Sequence, residues 1–111
     1  MDTKTYNGYT NYETWAVNLW LDNDQGTYNM VREWAEDAIK QSRHESRRAE
    51  GILADMLKDY IQEENPLASD ASLFSDLLSV AISEVNFYEI AENALEGMQD
   101  DDEETEEVEE E

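Results

Sequence analysis

Tyr9–Asn23 reads Y-T-N-Y-E-T-W-A-V-N-L-W-L-D-N, and its periodicity decides the fold class. Thr10 and Glu13 have the spacing of a capping box, in which a hydroxyl and a carboxylate satisfy backbone N–H groups at a helix start. Behind that start Tyr12, Ala16, Leu19 and Trp20 recur at helical spacing, while Trp15, Val17 and Leu21 carry the apolar surface almost all the way round. A helix apolar on that many sides has to be surrounded. The stretch therefore predicts the central helix of a small bundle.

Outward from it, residues 1–8 read as a short polar arm or turn. Asp22-Asn23-Asp24-Gln25-Gly26 is dense in turn formers and ends the first helix. A second helix starts near Thr27 as N-cap and carries Val31, Trp34, Ala35 and Ala38 on one stripe. Between Ile39 and Ala49 no apolar residue occurs, which predicts a break. The third helix has the cleanest stripe, Ala49, Ile52, Leu53, Met56, Leu57, Tyr60 and Ile61, and stops before Pro66 because the residue preceding proline disfavours helical geometry. Ser69 or Ser72 caps a fourth helix bearing Leu73, Phe74, Leu77, Leu78, Ala81 and Ile82. Asn86 caps a fifth, with Glu89 three residues on and Phe87, Ile90, Ala91, Ala94, Leu95 and Met98 facing inward. Nothing alternates as a strand does. The expectation is an all-α, compact bundle of four or five helices over residues 1–98, with a disordered acidic tail over 99–111.

Charge is the outlying quantity. Asp plus Glu number 29 against 7 Lys plus Arg, a formal net charge of -22. Ten of the acidic residues lie between Asp100 and Glu111, which leaves 19 acidic and 7 basic residues before them. The folded part is acidic in its own right. Such a surface repels nucleic acid and anionic membranes and attracts basic grooves on other proteins. With no cysteine, disulfides and thiolate metal sites are excluded. No basic-then-apolar leader opens the chain and no apolar run is long enough for a membrane span, so a cytoplasmic location is expected.

Few residues point to chemistry. Asp22, Asp24 and Glu33 match positions 1, 3 and 12 of a calcium loop, but Gly26 and Thr27 occupy the fifth and sixth, where a ligand and the turning glycine belong. His44 is the only histidine, and it falls in a charged segment without a nucleophile turn. There is no glycine-rich phosphate loop. The reading is a protein without enzymatic activity, metal or cofactor. Arg43, Arg47 and Arg48 are expected to pair internally with Glu45, Glu50 or the tail. Asn18, among apolar neighbours, needs hydrogen-bond partners, and any exposed tryptophan is a candidate interface anchor.

Carboxylates three or four apart on a helix lie about 5–6 Å from one another. Glu33, Glu36 and Asp37, and then Glu89, Glu92 and Glu96, have that spacing. With Asp22, Asp24 and Glu84 they form the candidate partner-binding surface, a set of phosphate-like charges.

Two segments, Tyr9–Asn23 and L-L-S-V-A-I-S-E-V-N-F-Y-E-I-A at Leu77–Ala91, resemble a family of small acidic proteins of phages, plasmids and other mobile elements. The resemblance implies a setting in which such proteins block host restriction or CRISPR machinery. The functional expectation is a DNA-mimic-like inhibitor that occupies the basic groove of a nucleic-acid-binding host protein or nuclease complex, in the host cytoplasm. It would touch neither nucleic acid nor membrane directly, and a homodimer is allowed. The alternative is a non-catalytic interaction or assembly module whose acidity serves solubility.

Overall fold

A computed structural model describes residues 6–110, with side chains described over 6–98. It contains five helices: α1 (Tyr12–Asn23), α2 (Gln25–His44), α3 (Ala49–Glu63), α4 (Leu73–Ser83) and α5 (Phe87–Glu110). Among the described residues the only strand-like pairing is a bridge between Tyr6 and Tyr9, closed by reciprocal N–H···O bonds of 3.0 and 2.7 Å. Asn7 and Gly8 both have positive φ, the requirement of a primed two-residue turn. The expected disordered tail at 99–111 lies outside the residues whose side chains are described.

Most helix starts are set by small polar caps. Asn11 caps α1, its side chain accepting from Thr14 N at 2.9 Å, so the cap is one residue later than the Thr10–Glu13 spelling suggests. Asp24, not Thr27, caps α2 by accepting from the Gly26 and Thr27 amides. Only one residue separates α1 from α2, and the Thr27 hydroxyl closes the corner by donating to the Leu21 carbonyl at 2.8 Å. Ser72 caps α4 in a reciprocal box with Ser75. The break predicted between the second and third helices occurs at Glu45–Arg48.

The core corrects the hierarchy read from the sequence. α3 lies between α2 and α5, and Leu53, Leu57 and Ile90 are among the most deeply buried side chains. Val31, Ala35 and Ala38 of α2, Ile52 and Ala54 of α3, and Phe87, Ala91, Leu95 and Met98 of α5 belong to the same core. α1 contributes only Leu21 to it, with Val17 packed at its margin. Trp20 is 76 % exposed and Tyr12 and Leu19 are exposed as well. The central helix is α3. α1 is a flanking helix whose apolar girth is only partly used.

Candidate functional site

The two distinctive segments of the sequence meet at one place, where α1 and α5 begin side by side. Thr14, fully buried, donates its hydroxyl proton to Asn11 Oδ1 at 2.6 Å and accepts from Asn86 N at 2.8 Å. Asn11 Nδ2 donates to the Glu84 carbonyl at 2.7 Å. Glu89 Oε1 accepts from Thr10 N at 3.0 Å, and Asn86 Oδ1 accepts from Glu89 N at 3.0 Å. Each segment thus receives a backbone N–H of the other on a side chain, Thr10 N on Glu89 and Asn86 N on Thr14, across about 75 residues of sequence. The positive ends of two helix dipoles converge here, and the Glu89 carboxylate is placed where it offsets them. Glu89 is buried, so it belongs to this joint and leaves the candidate partner-binding surface.

The other carboxylates expected at that surface are exposed. Glu33, Glu36 and Asp37 project from α2, Glu92 and Glu96 from α5, and Glu84 stands at the end of α4. Asp22 and Asp24 are also exposed, although the Asp24 carboxylate is engaged in capping α2. The structure does not gather the α2 and α5 sets into one row. It instead places Asp37 beside Asp59 and Glu63 of α3, along a groove of ≈ 380 Å³ floored by Trp34, Met56 and Tyr60. Trp34 and Tyr60 meet edge to face with centroids 5.7 Å apart. Asp55, Asp59 and Glu63 are all exposed and follow one another at four-residue steps. The four-residue spacing of this row is legible in the sequence, but its place beside Met56 and Tyr60 depends on the packing of α2 against α3.

A second pocket of ≈ 200 Å³ opens between α1, α2 and α5, lined in part by Tyr9, Asn18, Asp22 and Arg32. Asn18 Nδ2 donates to the Tyr9 hydroxyl at 3.0 Å and to Asp22 Oδ2 at 3.1 Å. The Asn18 amide is therefore satisfied within its own chain. Burial of its inner side pushes the Asp22 carboxyl above the usual range, partly offset by the hydrogen bond from Asn18.

Arg47 pairs with Asp55, and Arg48 with Glu50 at 3.6 Å, so two of the three clustered arginines pair within the chain. The partner of Arg47 is on α3, beyond the neighbours expected for it. His44 is exposed at the end of α2. Among the described residues no three His, Asp or Glu side chains are grouped to share a metal ion. Glu33 lies nine residues along α2 from its cap, about 13 Å at 1.5 Å per residue, so it cannot close a calcium loop with Asp24. No helix among the described residues is long and apolar enough to cross a membrane.

No curated protein and no solved structure matches the chain. A family model does match over residues 2–105, taking in both distinctive segments and the five helices almost to the end of α5. The chain belongs to that family, DUF7249, a family of unknown function.

Proposed function

We propose that this protein is a non-enzymatic acidic inhibitor that occupies the basic groove of a nucleic-acid-binding protein, in the setting of a mobile element acting on a host defence complex in the host cytoplasm. The supporting observation is the carboxylate-flanked groove between α2 and α3. On α3 the four-residue steps of Asp55, Asp59 and Glu63 correspond to about 6 Å along the axis. Asp37 of α2 lines the same groove as Asp59 and Glu63, while Asp55, the first of the α3 row, is paired with Arg47. The aromatic floor offers a face on which an arginine from the partner would stack. Glu92 and Glu96 on α5 add charge on a separate face.

The test is competition. Binding to a basic nucleic-acid-binding partner, recovered from host lysate, is measured at low and high salt and against duplex DNA. Steep weakening with salt and displacement by DNA are expected, and the D37K/D59K/E63K variant should lose binding. Binding indifferent to ionic strength would remove charge mimicry. One observation favours the alternative, an assembly module: a large apolar surface on α1 and α4 is left open to solvent.

A further inference from the structure

α4 presents little of itself to the core. Leu73, Phe74, Leu77 and Val80 are each at least 59 % exposed, and its one buried residue is Ser75, held by the Asp70 and Ser72 carbonyls. At about 100° per residue, Leu73, Leu77 and Val80 form one stripe bordered on one side by Phe74 and Ala81. α1 lies alongside. Tyr12, Ala16 and Val17 face Leu78, Ala81 and Ile82 across a shallow groove of ≈ 200 Å³ whose walls are almost wholly apolar. The Asn11–Glu84 hydrogen bond joins the start of α1 to the end of α4. Trp20, one turn on from Ala16, and Phe74, two turns back from Ala81, extend the same surface toward its other end.

We infer that this α1–α4 face is the two-fold interface of a homodimer of this chain. Three observations select a second copy as the occupant. The first is area. Tyr12, Trp20, Leu73, Phe74, Leu77 and Val80 are exposed by fractions that leave roughly 700–800 Å² of side chain uncovered, counting roughly 200 Å² for each large side chain. A stable interface buries about 800 Å² per partner. The second is charge. α1 and α4 carry only Glu13, Asp22 and Asp76 and no Lys or Arg, in a chain of net charge -22. Asp76 falls at the margin of the stripe. Glu13 lines the groove, so the face carries little charge rather than none, and it is where two acidic copies repel least. The third is shape: two adjoining helices that each expose apolar side chains can meet the same surface of a second copy about a two-fold axis. The inference is independent of the charge-mimicry reading, which concerns the α2–α3 groove on other elements.

Sedimentation velocity of the full chain across a hundredfold range of concentration, at low and high salt, tests it. A species of twice the 12.9 kDa chain mass is expected. It should become more populated as salt rises, because screening relieves repulsion between copies, whereas partner binding through carboxylates would weaken. Leu77→Asp should raise the dimer dissociation constant at least tenfold while leaving the helical circular dichroism unchanged, since its side chain is outside the core. Gln41→Asp adds the same charge at an exposed position off the face and should leave the constant within twofold. A chain monomeric throughout overturns the inference. So does a dimer that both variants leave intact, or one that both weaken equally.

Discussion

Thr14 shows how much a single hydroxyl carries here. It is a fully buried polar side chain that both donates to Asn11 and accepts from Asn86, joining the starts of α1 and α5. Thr14→Val keeps the shape and strands the Asn86 N–H, which costs about 1–3 kcal/mol when a buried donor loses its partner. Urea denaturation should show that loss, with Thr14→Ser recovering most of it. Equal stability for the valine variant would mean that the joint is ornamental. Asp22 makes a second case, with pH as the variable. Its folded pKa is raised, chiefly by burial, so the ionised form is disfavoured by folding. Its contribution to stability is therefore fully present below the unfolded value of 3.8 and is lost as pH rises through the higher folded value. Asp22→Asn should raise the thermal midpoint slightly at neutral pH and give no gain below pH 3.8. A variant less stable than wild type at neutral pH contradicts the assignment.

At the scale of elements, what distinguishes α3 from α1 and α4 is which side of an apolar helix is covered. Leu57 is fully buried on α3 and Leu77 is exposed on α4. Leu57→Ala should cost about 2–5 kcal/mol through lost contacts and a cavity. Leu77→Ala, measured at a dilution where the chain is monomeric, should fall within about 0.5 kcal/mol of wild type, as surface changes usually do. Comparable losses at both positions would restore α4 to the core. The same pair of residues explains what was legible in the sequence. The helices, the break before α3, the stop before Pro66 and the Asn86 cap follow from local periodicity and turn chemistry, which a linear reading contains. Whether an apolar stripe meets a neighbour depends on helices distant in the chain. Phe74 therefore reads as a core residue and α1 as the hub, while Trp20, on the apolar girth of that hub, reads equally as core or as an exposed anchor. Glu89 reads as a surface carboxylate for the same reason, because its partner Thr10 is 79 residues away. Asp37, Asp59 and Glu63 become a groove only once α2 and α3 pack antiparallel.

For the whole molecule, the net charge of -22 acts on every equilibrium at once. The two shorter dimensions are 32 and 30 Å. At 0.01 M salt the screening length is about 30 Å, so carboxylates on opposite faces still repel; at 1 M it is about 3 Å and only neighbours do. Folding concentrates these charges, so the compact state gains more from screening than the extended chain does. The thermal midpoint should therefore climb steeply between 0.01 and 0.1 M sodium chloride and level off toward 1 M. Urea, which is uncharged, should give the same trend in its unfolding midpoint at each salt concentration. The Glu33→Gln/Glu36→Gln/Asp37→Gln variant removes three exposed charges and should flatten the low-salt part of the curve while leaving the high-salt plateau nearly unchanged. A midpoint independent of salt would mean that the acidic surface imposes no folding cost.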